Sequence, residues 1–230
     1  MPETPLILLI ESSSLNCSVA VAKGKQLVGI KEEANNGFVH AENLHLFAEI
    51  ALSNSNHKWN DLSAVAIGVG PGSYTGLRIG VSFAKGLCLA LNIPLLAISS
   101  LEGLFWHFLE THNHLEHRVY WPMVDARRME VYTAGYDENG EALYPRSAMV
   151  LTERLPPQPG ICFGDGAGKA KEILEAAHFV VFDGPLPTAK GLINPALEAF
   201  HKQHFANLDT YEPDYLKEFV AGKKKLRTTS

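Results

Sequence analysis

Apolar positions along this chain fall into short unbroken runs separated by helical repeats. Leu6 to Ile10 is continuously apolar, as in a strand buried on both faces. Asn16 to Ala22 and Gln26 to Glu32, joined at Lys23-Gly24-Lys25, predict two further strands. Beyond Asn35-Asn36-Gly37, the spacing of Leu44, Phe47, Ala48 and Ala51 predicts a helix from about His40 to Leu52. A strand at Ala64 to Val69, a helix at about Thr75 to Leu91 and a strand at Pro94 to Ile98 complete a βββαβαβ half. The plan then recurs. Val119 to Asp125 ends in an acid as Leu6 to Glu11 does, Glu130 to Tyr136 reads as a strand, and Asp137-Glu-Asn-Gly140 turns it into Glu141 to Tyr144. Ile161 to Gly164 predicts a strand, about Ala167 to Ala177 a helix, Phe179 to Phe182 a strand, and Asn194 to Phe205 a helix with Pro195 in its first turn. A repeat of about 110 residues predicts an α/β protein of two pseudo-symmetric βββαβα lobes. We place them at 1–104 and 105–210, followed by a C-terminal segment at 211–230.

The helix after Ala64–Val69 carries small residues at every fourth position, Gly76, Gly80, Ala84 and Cys88. Such a strip lets another backbone come close, and two glycines inside a helix, each costing about 1 kcal/mol against alanine, point to a packing demand. The loop before it holds Gly68, Gly70, Pro71 and Gly72. A helix N-terminus is a ready anion site, but Gly76 is followed by Leu77 and Arg78 rather than the lysine of a Walker A loop, and Thr75 stands where the dinucleotide fingerprint needs glycine. A phosphate cradle and a tight strand-to-helix turn both fit. Gly72-Ser73-Tyr74 lacks the closing glycine of a nucleophile elbow, and Ser73 is placed to cap the helix.

Composition narrows the classes. With 230 residues, 46% of them hydrophobic and 20% charged, the chain buries a substantial core. A net charge of -5 argues against a broad nucleic-acid surface. Cys17, Cys88 and Cys162 lie far apart in apolar contexts and read as buried free thiols of a reducing cytosol. The start, MPETPLILLIESSS, is too briefly apolar for a signal peptide or membrane span, which predicts a cytoplasmic protein.

The run Gly70-Pro-Gly-Ser-Tyr-Thr-Gly-Leu-Arg-Ile-Gly80 resembles the signature of the TsaB (YeaZ) family of bacterial tRNA threonylcarbamoyladenosine biosynthesis proteins. Ile10-Glu-Ser-Ser-Ser14, His40-Ala-Glu-Asn-Leu44, Ile93-Pro94 and Val124-Asp-Ala-Arg-Arg-Met-Glu-Val-Tyr132 agree in order, with weaker support from Gly164-Asp-Gly166 and Pro213-Asp-Tyr-Leu216. The resemblance implies the actin/Hsp70/sugar-kinase (ASKHA) fold and a non-catalytic subunit that binds TsaD and, with TsaE, serves the transfer of threonylcarbamoyl to adenosine 37 of tRNAs reading ANN codons. It implies that tRNA is met only through the complex, that the isolated chain holds no cofactor firmly, and that ATP or ADP belongs to the assembled complex. The metal motif of TsaD, His-x-x-x-His after a similar Ile-Pro step, corresponds here to Ser100-Leu-Glu-Gly-Leu104, which has no imidazole, so no metal site is carried over.

The remaining polar residues admit two readings each. Glu11, Ser12, Ser13, Gly70, Gly72, Ser73, Asp125, Gly164 and Gly166 are the vestigial nucleotide or phosphate loops of such a fold. Glu11 could place a magnesium-bound water, while the serines beside it satisfy their own turn. Asp125 beside Arg127 and Arg128 fits a ligand site or an internal salt bridge. His107, His112, His114 and His117 could chelate a soft ion or decorate a polar connection between the lobes. The run Lys223-Lys-Lys-Leu-Arg227 is a solvated tail or an auxiliary RNA contact.

From the helical faces we expect the partner surface, for TsaD or for a second copy in a homodimer, at Leu44, Phe47, Ala51, Gly76, Gly80, Phe83, Ala84 and Leu87. On that expectation Gly80→Leu abolishes partner binding and spares the fold. The competing class is an autonomous small ATPase or M22-like metallopeptidase using Glu11, Asp125 and the loops at Gly70 and Gly164.

Overall fold

The computed structural model describes residues 2–34, 40–112, 118–213 and 215–216. Strands β1 (Leu6–Glu11), β2 (Asn16–Lys23) and β3 (Gln26–Ala34) form an antiparallel meander, and α1 (His40–Ser55) leads to β4 (Ala64–Gly68), α2 (Tyr74–Leu91) and β5 (Leu95–Ile98). Their sheet has the order β3-β2-β1-β4-β5, with β1, β4 and β5 parallel. Helix α3 (Ser100–Thr111) crosses to the second half, where β6 (Val119–Asp125), β7 (Glu130–Tyr136), β8 (Ala142–Val150), β9 (Gly160–Gly164), α4 (Lys171–Ala176), β10 (Val180–Asp183) and α5 (Ile193–His201) follow. The second sheet reads β10-β9-β6-β7-β8, the same order written from the other end. The duplication expected from the sequence is therefore a duplication of sheet topology. It is incomplete, because a loop stands between β8 and β9 where the first half has α1.

Alternation along β1 explains how one strand serves two cores. Leu6, Leu8 and Ile10 face the side covered by α1 and α2. Ile7 and Leu9 face the other, covered by Ala189, Leu192, Ile193, Ala196 and Phe200. In the second sheet Val119, Trp121 and Met123 meet Ala170 and Leu174, while Tyr120 and Val124 meet Leu101, Leu104, Phe105 and Phe108 of α3. The connecting helices thus change places: α3 covers the second sheet and α5 the first. The lobes drawn at 1–104 and 105–210 interleave at these two helices.

Helix α3 is an element the sequence reading did not predict: it assigned nothing between Ile98 and Val119 and read only the histidine cluster there as a polar connection. Its inner face is aromatic and aliphatic, and Ser99 with Glu102 three residues on is the usual sequence mark of a helix start, although Ser99 makes no side-chain cap bond. Strand β8 runs to Val150, well past the expected Tyr144, and a single turn of 3₁₀ helix at Gly168–Ala170 precedes the short α4. Two 3₁₀ residues at Gly191 and Leu192 meet α3 where the chains cross: a β-carbon on Gly191 would stand 2.2 Å from the Gly103 carbonyl oxygen, and one on Gly103 would stand 2.6 Å from Leu192 Cδ2. Among the described residues no helix is long and apolar enough to cross a membrane. All three cysteines are buried and free, and burial pushes the Cys17 and Cys88 thiols up to about 11.

Candidate functional site

The expected first loop cluster comes together as a closed unit. Glu11 ends β1 and is fully buried, with its Oε1 accepting from the Ser13 N–H at 2.8 Å. A β-carbon on Gly68 would meet Glu11 Oε2 at 2.1 Å, so only glycine leaves room for the carboxyl beside β4. Burial pushes the Glu11 pKa above its ordinary value, outweighing the hydrogen bonds around Ser13, and Oε2 accepts no hydrogen bond. This carboxyl is sealed away from solvent and set up to be neutral.

The turn after Glu11 is pressed onto the start of α2. The Ser73 N–H donates to the Ser13 carbonyl at 2.6 Å, and a β-carbon on Gly72 would fall 2.3 Å from that same oxygen. Ser12 Oγ donates to the Gly76 carbonyl at 3.0 Å. Ser73 Oγ accepts from the Gly76 N–H at 3.2 Å, the capping bond expected from the sequence. Gly70 is tied to Ser100 twice, its N–H donating to Ser100 Oγ at 3.2 Å and its carbonyl accepting from the Ser100 N–H at 2.8 Å. The glycine loop forms a tight strand-to-helix turn with the chain's own Ser13 packed against it.

The second cluster is separate and sits on the second sheet. Asp125 pairs with Lys169, which also donates to the Glu130 carbonyl, and its Oδ1 accepts from the Arg127 N–H at 3.0 Å. The salt bridge anticipated at this turn is therefore made by a lysine some forty residues on, while Arg127 and Arg128 remain exposed with φ of 69° and 53°. Asp165 accepts from the Asp125 N–H at 3.0 Å, and burial raises its pKa. Gly164, at φ 106°, and Gly166 lie against β6: β-carbons there would approach the Met123 carbonyl oxygen to 2.4 and 3.0 Å. These glycines serve close packing of the chain on itself.

A third polar cluster ties the two halves together, and the sequence reading did not find it. Asn16 Nδ2 donates to the Pro187 carbonyl at 3.0 Å, the Ala189 N–H donates to Ser18 Oγ at 3.0 Å, and Ser18 and Thr188 hydroxyls both donate to Glu32 Oε2, at 3.0 and 2.5 Å. Burial alone would raise the Glu32 carboxyl, but these hydroxyls and the charge of Lys190 outweigh it and hold it below its ordinary value. Asn16 and Ser18 alternate along β2 as polar residues on a buried face, which was the available signal.

The expected partner surface is corrected by the packing. Leu44, Phe47, Ala51 and Ala84 belong to the core beneath α1 and α2, and Gly76 and Gly80 are buried with them. The glycine strip does receive a close backbone, but it is the chain's own: a β-carbon on Gly80 would meet Ser12 Oγ at 2.2 Å and Ile67 Cδ1 at 3.0 Å. On α1 the same demand appears as Gly29 of β3, whose β-carbon would fall 2.1 Å from the Ala51 carbonyl oxygen. Phe83 and Leu87 are only half-buried, and the outward apolar residues are Leu46 (46% exposed), Ile50 (40%) and Leu89 (65%). Gly80→Leu would thus strike the fold itself.

His107 lies on α3 and pairs with Glu110 at 3.4 Å, and His112 stacks on Phe108 at 4.1 Å. His114, His117 and the run Lys223–Arg227 lie outside the described residues. Among the described residues no three His, Cys, Asp or Glu side chains are grouped to hold a metal ion.

The model of the family described as TsaD, tRNA N6-adenosine threonylcarbamoyltransferase, matches residues 35–161. A protein of Escherichia coli K12 named tRNA threonylcarbamoyladenosine biosynthesis protein TsaB is 29% identical over 229 residues, covering 95% of this chain and 97% of that one. Its namesake in Bacillus subtilis 168 is 37% identical over 123 residues, 50% of this chain and 52% of that protein. The chain belongs to the TsaB (YeaZ) family, within the wider family of that model. Among solved structures, YeaZ from Pseudomonas aeruginosa superposes with a TM-score of 0.78 at 24% identity, covering 92% of this chain and all of that one. Component A of the Acidaminococcus fermentans (R)-2-hydroxyglutaryl-CoA dehydratase follows at a TM-score of 0.54 and 11% identity, over 87% of this chain, a likeness of fold alone. The TsaB fold here is thus the ASKHA type expected from the sequence, with its two loop clusters closed upon themselves.

Proposed function

We propose that this chain is a non-catalytic scaffold subunit of the complex that installs threonylcarbamoyl on adenosine 37 of tRNAs reading ANN codons, acting by binding and supporting TsaD together with TsaE. The observation that carries this reading is the closure of the Glu11 turn. A buried carboxyl kept toward its neutral form and a helix start covered by Ser13 supply neither a charged metal ligand nor room for a phosphate. The lone chain accordingly has no firmly bound cofactor, and ATP or ADP belongs to the assembled complex, held where partners meet. This closure favours the scaffold over the autonomous ATPase and the M22-like metallopeptidase.

The partner surface moves from the buried glycine strip to the outer side of the α1–α2 pair, where Leu46 and Ile50 of α1 stand exposed and Phe83 and Leu87 of α2 are half-buried. The same surface pairs two copies of the chain when TsaD is missing, and the complex works in the cytoplasm. Leu46→Glu/Ile50→Glu tests it. The double variant is expected to keep its melting temperature within about 2 °C, a surface-substitution effect, and to lose copurification with TsaD. A variant that still copurifies refutes the surface, and ATP turnover by the chain alone refutes the scaffold.

A further inference from the structure

Backbone conformation singles out the turn between β6 and β7. Among the described residues, the non-glycine positions with positive φ are Asn56, Asn92, His178 and Gln203, and then Arg127 and Arg128. The first four each stand within two residues of the end of α1, α2, α4 or α5, where a left-handed residue closes a helix. The two arginines end no helix. The hairpin turns between β2 and β3 and between β7 and β8 meet the same demand with Gly24 at φ 58° and Gly140 at φ 85°. Between β6 and β7, two consecutive residues with long side chains take the left-handed region instead, at a steric cost that glycine escapes.

The backbone of this turn is pinned, while its side chains are left outside. Asp125 Oδ1 accepts from the Arg127 N–H at 3.0 Å, the Glu130 N–H donates to the Arg127 carbonyl at 3.1 Å, and the Ala126 N–H donates to the Glu130 carbonyl at 3.1 Å. Both arginine side chains are exposed, and among the described residues neither makes an ion pair or a hydrogen bond. The neighbouring acids are engaged or withdrawn: Asp125 is bound by Lys169, Asp165 takes the Asp125 N–H, and Glu130 is half-buried. Gly164, next to Asp165, lies against Leu104 of α3, one helical turn from Ser100 and its two bonds to Gly70. The turn is therefore set near the same end of α3 as the Glu11 cluster. Strain kept at two side chains that touch nothing in their own chain marks groups held for a ligand.

We propose that Arg127 and Arg128 form a phosphate-binding pair, their planar guanidinium forks meeting the oxygens of a phosphate ester that a partner brings to the exposed turn. Phosphate is the class that fits, because two adjacent forks match its oxygens two at a time, whereas one carboxylate occupies a single fork. The ester is either the backbone of the tRNA or the polyphosphate of a nucleotide held where subunits meet; the phosphate chemistry is the same. That a subunit complex presents it rests on the function proposed above, while the strained pair does not.

The test uses the full-length chain assembled with TsaD and TsaE and two probes, an unmodified tRNA transcript and ATP with magnesium. Arg127→Gly/Arg128→Gly relieves the left-handed positions, so the variant chain should melt about 2–4 °C above wild type. It should assemble normally by gel filtration and lose about 10-fold in affinity for one of the probes per arginine engaged. A fall for tRNA, with the slope of log K against log salt reduced by about 0.7–0.9 per lost contact, assigns the RNA backbone. A fall for ATP assigns the nucleotide. Arg127→Lys/Arg128→Lys keeps the charge without the fork and should bind between the glycine variant and wild type. A raised melting temperature with unaltered affinity for both probes overturns the proposal, because the arginines are then merely tolerated. An unchanged or lower melting temperature overturns it as well, since the strain is then not there. So does loss of assembly in the glycine variant, which assigns the pair to a protein carboxylate. Failure of the wild-type proteins to assemble counts against the scaffold reading instead, and binding of tRNA and ATP by the chain alone then decides the turn.

Discussion

Ser12 Oγ stands 2.2 Å from where a β-carbon on Gly80 would be built. The glycine is what allows the turn after β1 to hydrogen-bond α2 at the Gly76 carbonyl. In an open helix Gly→Ala gains up to about 1 kcal/mol, but here the overlap reverses the sign. Gly80→Ala is expected to destabilise by about 1–3 kcal/mol, the range for overpacking. Ser12→Ala should rescue it, because the Ser12 β-carbon lies at an ordinary 3.4 Å from the same point. A double-mutant cycle in urea checks this: additive effects would mean that the two residues do not meet.

Gly191 and Gly86 make an opposed pair. A side chain on Gly191 runs into the Gly103 carbonyl oxygen, a backbone atom that cannot rotate away, so Gly191→Ala should cost at least about 3 kcal/mol. A β-carbon on Gly86, in the exposed interior of α2, meets nothing within 4 Å, and Gly86→Ala should stabilise by about 0.5–1 kcal/mol. Thermal melts of the two variants give shifts of opposite sign.

Glu11 predicts a pH dependence. Its pKa is raised in the folded state above the ordinary 4.5, so the native protein binds more protons than the unfolded chain between the two values. Stability from this group is therefore present below pH 4.5 and lost as pH rises through the folded pKa. Glu11→Gln removes the titration. Relative to wild type the variant should become progressively more stable as pH rises above 4.5, and parallel urea curves from there to neutral pH would argue against a raised Glu11 pKa.

Glu32 runs the other way. Its folded pKa is depressed, so its contribution is present above its ordinary 4.5 and is lost as pH falls through the folded value. Thr188→Val deletes one hydroxyl that donates to the carboxylate and should cost about 1.5–3 kcal/mol at pH 7, the range for a hydrogen bond to a charged group, and less at pH 3. An equal loss at both pH values would show that the bond to the charge is not the cause.

Periodicity located β1 to β7, α1 and α2 within a few residues, because each of those segments carries one period over its whole length. It also marked the Gly76–Gly80–Ala84–Cys88 face as a close contact. What it could not supply was the identity of the neighbour. A strip of small residues accepts any backbone, and the turn at Ser12 is distant in sequence, so a partner subunit and the chain's own sheet leave the same trace. Helix α3 escaped for a different reason: Trp106, His107 and Phe108 are weak helix formers, and its formation is decided by Phe163 and Tyr120 across the second sheet. The hydroxyl cluster around Glu32 was hidden because Ser18 and Thr188 are 170 residues apart, and neither forms a motif alone.

The swap of α3 and α5 between the sheets has a consequence for how the protein is made. Ile7 and Leu9 emerge early from the ribosome, yet the residues that shield them, Ala196 and Phe200, are translated near the end. At ordinary elongation rates of about 5–20 residues per second, that apolar side of the newborn sheet stays bare for roughly 10 to 40 s. A product truncated before residue 189 would lack every one of Ala189, Leu192, Ile193, Ala196 and Phe200 and would leave Ile7 and Leu9 without their cover however well its first half folded.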